Sequence, residues 1–271
     1  MVNKWFYNKC IIFAKKKMLI ILSPSKTMDF SQEYKGFQPS TPIFMKEATT
    51  LVSMLQQMKA DEIKTLMQVS GPLASQTKNR FMEWTPLHNT EKASPALFAF
   101  SGDVYDGLNA SSLNKEDIEF AQKHLMIFSG LYGMLRAMDL MMPYRLELGA
   151  KWETEHFKNL YSFWKDKVNI AFAEALKTSG SKLVINLASA EYSKIIDFKT
   201  LGATVVSPGF YELNNGKLKM ISIYAKRARG LMTRHIIQNK IINASEIISF
   251  QEERYGFLSE MSKDNSPVFA R

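Results

Sequence analysis

The residues with the clearest chemical meaning lie between Lys217 and Lys240. No acidic residue occurs from Leu213 to Ser245, and that interval holds Lys217, Lys219, Lys226, Arg227, Arg229, Arg234 and Lys240. Lysine and arginine gathered on one side of an element suit phosphate oxygens, which need several donors at fixed positions. Lys217 and Lys219 alternate with apolar residues, as on a strand with one exposed face. A helix is expected from Ala225 to Ile241. At about 100° per residue, Lys226, Arg227, Arg229, Thr233 and Arg234 share one broad face, and Ala228, Leu231, Met232 and His235 the other. Ile237 and Ile241 do not fit this division. Gly230 on the basic face would let a backbone approach closely. The plain alternative is a solvated helix face. The lack of interspersed acids favours anion binding over it, although a membrane surface or a phosphorylated metabolite presents the same charge.

Two further segments carry candidate ligands for anions. Asp61 to Trp84 reads as helix, tight turn and helix, with Ser70, Gly71 and Pro72 in the turn and Lys78 and Arg80 on the second helix. A helix-hairpin-helix element has this plan, its hairpin amides and helix N-terminus meeting phosphates without reading bases; many helix pairs turn at a glycine without that role. Ser129–Gly133 is a second glycine hairpin, followed by Arg136. From Arg136 to Gly149, Arg136, Asp139, Arg145 and Glu147 alternate with apolar groups. A buried salt-bridge network that orders a loop is the favoured reading, and presentation of Arg145 to an anion is the other. Tyr105, Tyr132, Tyr144 and Tyr192 either pack or stack on bases.

The elements that must position these groups are short continuous apolar runs separated by helical patterns. Strands are expected at 18–22, 97–100, 125–128, 183–186, 204–206 and 218–223, and helices at 43–58, 61–68, 76–84, 116–123, 160–176 and 225–241. The fold class is α/β: a single domain with a central mixed sheet flanked by helices and containing the helix-hairpin-helix element. It spans residues 18–257 and is followed by a polar, frayed tail at 258–271. Four of the runs end in small-residue turns. In open α/β sheets ligands collect beyond the carboxyl ends of strands, so these turns are expected to form one rim holding Lys26, Asp103, Tyr105, Arg136, Glu191 and Tyr192. Small residues also end strands for no other reason.

The formal charge is +9 over 271 residues. Five lysines of the first seventeen residues account for more than half of it, which leaves +4 from Met18 onward. The basic interval alone contributes seven, so the rest of that stretch is net acidic. Localised charge of this kind points to a polyanion better than bulk basicity does. Residues 1–17 read as a disordered extension or a misassigned start, Met18 opening a buried-strand pattern. The single cysteine, Cys10, excludes an intrachain disulfide and fits a reducing, cytoplasmic setting. The four scattered histidines match no metal-ligand spacing. No metal, cofactor, membrane span or obligate protein partner is expected.

Taken together, the segments ILSPSKT (21–27), FSGDVYDGL (100–108), SGLYGMLRAMDLMMPYRLELG (129–149), NLASAEY (186–192) and YAKRARGLMTRHI (224–236) resemble the YaaA family of bacterial peroxide-stress proteins. The resemblance runs from Met18 nearly to the C-terminus. It implies binding of double-stranded DNA through a basic cleft and a helix-hairpin-helix element, on a fold of the family's own, and protection of DNA under peroxide stress. It puts Lys226, Arg227, Arg229 and Arg234 at that cleft, with Lys26 and Arg145 near it. Ala137 stands where the motif commonly carries proline, which would loosen the turn after Arg136. No catalytic mechanism comes with it. The leading reading is therefore a non-catalytic DNA-binding protein of little sequence selectivity, with Lys226, Arg227, Arg229, Arg234, Lys26, Arg145, Arg136, Lys78, Arg80 and Gly71 as its contacts. The second is an enzyme on nucleotides or nucleic acid that uses Asp103, Glu147 and Glu191. The geometry separates them: carboxylates converging in a small pocket favour catalysis, and carboxylates paired with arginines under an open groove favour binding. An iron-handling protein ranks last.

Overall fold

The chain is described by a computed structural model covering residues 18–34 and 36–271; the expectation for residues 1–17 lies outside the described residues. Strands are β1 (Met18–Leu22), β2 (Thr27–Met28), β3 (Ser94–Pro95), β4 (Phe100–Ser101), β5 (Leu125–Ser129), β6 (Gly133–Arg136), β7 (Leu140–Met141), β8 (Leu183–Asn186), β9 (Thr204–Val206), β10 (Gly209–Asn214), β11 (Lys217–Lys219), β12 (Gly256–Phe257) and β13 (Val268–Ala270). Helices are α1 (Met45–Gln57), α2 (Ala60–Met67), α3 (Gly71–Glu83), α4 (Ala96–Ala99), α5 (Asp103–Leu108), α6 (Lys115–His124), α7 (Leu160–Ser179), α8 (Ala190–Ser193) and α9 (Ser222–Gln238).

β1 carries no polar side chain and is wholly buried, and it becomes the middle of a five-stranded sheet ordered β6-β5-β1-β8-β9. Its neighbours β5 and β8 run parallel to it, as does β9 to β8, whereas β6 turns back antiparallel. Continuous apolar strands of this kind need cover on both faces. α7 supplies part of it with Leu160, Trp164, Val168, Phe172 and Leu176, a four-residue repeat of buried side chains. The chain leaves β1 toward β5 on one side and leaves β8 toward β9 on the other. The boundary between β1 and β8 is therefore the switch point of the sheet, where a crevice opens outside the strand ends. A second sheet, β11-β10-β13-β12, stands apart from the first.

Several expectations are corrected. The apolar run 97–100 is mostly the single-turn α4, with only Phe100 entering β4. A fully buried apolar run has no period to distinguish strand from helix, and here the Ala96 and Leu97 amides are taken by the carbonyls of Asp139 and Ala137. The strand expected to Ile223 ends at Lys219, and α9 has begun by Ser222. The tail is not frayed at its end: Val268–Ala270 are buried as β13, between β10 and β12. The polar stretch before it masked a three-residue apolar strand. The mixed sheet is also not the only one, because this C-terminal strand builds the second. Finally, the turn between α2 and α3 lies two residues earlier than expected. Gln68 takes the left-handed conformation (φ 51°), Ser70 is the N-cap, and Gly71 and Pro72 are the first residues of α3, where proline's fixed φ suits the helix.

A candidate anion-binding cleft at the switch point

The cleft begins with the loops that leave β1 and β8. The Leu187 amide donates to the Ile21 carbonyl at 3.0 Å, and the Ser189 amide donates to Ser23 Oγ at 2.8 Å. The Tyr105 hydroxyl donates to the Ser23 carbonyl at 2.9 Å. From the far side, Thr27 Oγ1 donates to the Ser101 carbonyl at 2.9 Å. Gly102 permits this contact: its φ is +94° and a Cβ there would press on Thr27 Oγ1. These bonds fix the backbone that carries Lys26 beside that of α5.

Between the loops lies a cavity of about 470 Å³. Buried Tyr144, Leu146, Leu187 and Tyr192 give it an apolar wall. Burial, with neighbouring Tyr144, Glu191 and Glu147 adding to it, pushes the Tyr192 phenol far above its ordinary range, so it stays protonated. Four cations reach the cavity: Lys26 from the β1 loop, Arg145 from the loop after β7, and Lys226 and Arg229 from α9. Lys26 Nζ pairs with Glu147 at 2.7 Å, and Arg145 lies 3.5 Å from the same carboxylate. Arg145 Nε is buried without an acceptor. Arg229 is half-buried, and among the described residues its guanidinium has no hydrogen-bond or ion-pair partner. Burial lowers its pKa from the ordinary arginine value, the signature of a desolvated charge. Lys226 is exposed.

Lys217 and Lys219 are exposed on β11, whereas Arg227, Gly230, Arg234 and Lys240 are engaged elsewhere. α5 lies across the face that periodicity marks as basic. A Cβ at Gly230 would overlap the Val104 carbonyl, and one at Gly107 would overlap the Arg227 carbonyl. Gly230 thus admits a backbone, but it is that of α5. On the flank away from the cavity, Arg227 Nε donates to Glu253 at 2.7 Å, a bond that raises the Arg227 pKa and lowers that of Glu253. Arg234 Nη1 donates to the carbonyls of Leu108 at 3.1 Å and Asn109 at 3.0 Å, completing the C-terminal end of α5. Lys240 is tied to Asp117.

Arg136 is not at the rim. β6 runs antiparallel, so Arg136 pairs with Met126 at the amino end of β5. There it holds Asp139, a fully buried residue, at 2.9 Å and donates to the Thr41 carbonyl. The Arg136 amide also donates to Asp139, which pins the turn without a proline at Ala137. The ordering role expected of this segment thus holds for Arg136 and Asp139, whereas Arg145 and Glu147 face the cleft. Residues 129–133 are wholly buried and present no hairpin to a ligand. Tyr132 is a packing residue: its hydroxyl accepts from Trp84 Nε1 and from the Met142 amide, so its own proton goes to His88 Nε2 at 2.9 Å.

A second hollow, about 310 Å³, adjoins the first and shares Lys26, Arg145, Glu147 and Glu191 with it. Leu66, Met67 and Gln68 line its outer side. The turn between α2 and α3 therefore borders the same groove that α9 flanks at its other end. Arg80 sits half-buried near Arg145; burial first and then that neighbouring charge lower its pKa. Lys78 is bound to the Gln56 carbonyl and is a scaffold residue. Gly71 is exposed on the first turn of α3. Of the three carboxylates that line the cavity, Glu147 is held by Lys26 and Arg145, and Glu191 accepts the Gly149 amide at 2.9 Å. Asp103 lies on the first turn of α5. No histidine lines the cavity. Among the described residues no cluster of three or more His, Cys, Asp or Glu side chains is placed to hold a metal, and no helix is long and apolar enough to cross a membrane.

Reasoning from the sequence gave no role to Thr27 and missed the Gly107–Gly230 contact. Two glycines on separate helices were the available signal for a close crossing. Comparison with known proteins gives a consistent result over this whole region. The profile of the family described as "Peroxide stress protein YaaA" matches residues 18–261. A UPF0246 protein of Ralstonia pickettii (strain 12J) is 42% identical over 254 residues, covering 94% of this chain and 99% of its own. One from Aliivibrio fischeri (strain ATCC 700601 / ES114) is 44% identical, and one from Polynucleobacter necessarius subsp. necessarius (strain STIR1) 40% identical, each over 94% of this chain and 98% of the relative.

Proposed function

This chain belongs to the peroxide stress protein YaaA family, and from that premise we propose that it is a cytoplasmic DNA-binding protein that grips duplex backbone along the groove between α9 and the α2–α3 turn. The observation that carries the reading is the convergence of Lys26, Arg145, Lys226 and Arg229 on one cleft, with Arg229 desolvated and unpartnered among the described residues. A half-buried guanidinium without a counter-ion is costly in the free protein, and a phosphate oxygen relieves that cost. The cations of the groove meet the backbone, whose phosphates carry no sequence information, so binding is of low sequence selectivity. The α2–α3 pair serves as the helix-hairpin-helix element, bringing the left-handed Gln68 turn and the exposed first turn of α3 alongside the duplex.

A reading as an acid–base enzyme on nucleic acid draws on Asp103, Glu147 and Glu191 lining the cavity. The convergence of these carboxylates in a cavity too small for a duplex favours it; against it, Glu147 is paired with Lys26 and Arg145, which favours binding, and no histidine stands beside the serines of the cavity. The test is fluorescence anisotropy with two duplexes of unrelated sequence over a salt series. Both bind alike, with affinity falling steeply as salt rises, and the Lys226→Glu/Arg229→Glu double variant binds about a hundredfold more weakly. Wild-type affinity in that variant overturns the assigned site.

A further inference from the structure

The cavity is too small for a duplex, and its walls are of two kinds. Pockets of a few hundred cubic ångströms enclose small ligands and combine an apolar lining with a few convergent polar groups. Here Arg145, Lys226 and Arg229 all line the cavity, and Tyr144, Leu187 and Tyr192 give it an apolar wall. Glu147 and Glu191 add acceptors. Cations alone would suit any anion. The three carboxylates beside them, Asp103 included, do not: they repel a bare phosphate and reward a ligand that also brings hydrogen-bond donors.

We propose that this cavity receives a single nucleoside monophosphate unit, its phosphate held by Arg229, Lys226 and Arg145 and its base and sugar set against the tyrosine wall and the two glutamates. The proposal rests on the reading of the cleft as a phosphate site and adds what lies beyond the phosphate. The ligand chemistry accounts for each unusual feature of the cavity. A dianionic phosphate neutralises the desolvated Arg229 that lines the cavity. A planar base covers buried aromatic surface. Sugar hydroxyls or exocyclic amines donate to carboxylates that otherwise repel an anion. The unit has two possible sources, a free nucleotide or the phosphorylated terminal nucleotide of a DNA strand.

The experiment is a calorimetric titration of the full chain with deoxyadenosine monophosphate, deoxyadenosine and inorganic phosphate, alongside anisotropy with duplexes that differ only in a 5′-phosphate or 5′-hydroxyl end. The nucleotide binds with a Kd below about 1 mM and at least about tenfold more tightly than either fragment. Arg229→Ala weakens it by at least about tenfold. Lys226→Ala, at an exposed position that folding does not need, also weakens it. Tighter binding of the phosphorylated duplex marks the strand end as the source, and equal binding of the two duplexes marks the free nucleotide. A nucleotide that binds no better than inorganic phosphate overturns the proposal, as does nucleotide binding indifferent to Arg229→Ala and Lys226→Ala. Failure to bind nucleotide with duplex binding intact overturns the nucleotide site alone and leaves the backbone reading standing. Loss of duplex binding with nucleotide binding intact does the reverse.

Discussion

Helix α9 presents two pairs of cations that look alike in sequence and differ in what surrounds them. Lys226 and Arg229 lie on the flank that lines the switch-point cavity, and among the described residues neither charged group has a partner. Arg227 and Arg234 lie on the other flank and are committed, one to Glu253 and the other to the carbonyls that end α5. α5 runs between the two flanks with Gly107 against Gly230. The same residue types on one helix therefore divide into ligand-facing charges and scaffold. The divider is a neighbouring helix, not a change in the residues themselves. Charge that is already compensated contributes to folding, and charge left desolvated and unpaired is available to a ligand.

The most severe way to break this comparison is to remove the divider. Gly230→Val drives a branched side chain into the Val104 carbonyl; it is expected to cost about 3 kcal/mol or more, read as a fall in urea midpoint with both flanks lost together. Arg234→Ala sharpens the comparison from the scaffold side. It removes two charged hydrogen bonds to backbone carbonyls and is expected to cost about 1.5 kcal/mol of stability, measured by the same unfolding, with DNA affinity unchanged.

Acid separates scaffold from cleft by another route. Burial lowers the His88 pKa from 6.5 to about 4, and its Nε2 must stay unprotonated to accept from Tyr132. The unfolded chain then binds more protons than the folded one across that window. Stability falls as pH drops from about 6.5 toward about 4. A melting series of wild type against His88→Gln checks this, the variant having the shallower acid decline.

Much of the scaffold was legible because its signals are local. MLIIL reads as a buried strand, and the four-residue repeat of α7 reads as a helix from the residues alone. The rim was legible in part: Lys26, Asp103, Glu191 and Tyr192 do meet at one cavity, since each follows a strand end or opens the helix after it. Arg136 was misplaced because it was read into the turn after the 125–128 strand; no strand was expected at 133–136, and β6 carries Arg136 back to the amino end of β5. The basic face of α9 was drawn too wide for a related reason. Helical periodicity gives the direction of a side chain and cannot say that Glu253 or the end of α5 waits there. β13 was missed because a three-residue strand draws its stability from β10 and β12, which are distant in sequence.

The central claim is that the cavity flank of α9, and not the scaffold flank, meets the phosphate. The most direct measurement is the slope of log Kobs against log salt for one duplex, taken for wild type, Arg229→Ala and Arg234→Ala. The slope should lose about one unit in Arg229→Ala and stay at the wild-type value in Arg234→Ala. A wild-type slope in Arg229→Ala, with the loss appearing in Arg234→Ala instead, would contradict the account.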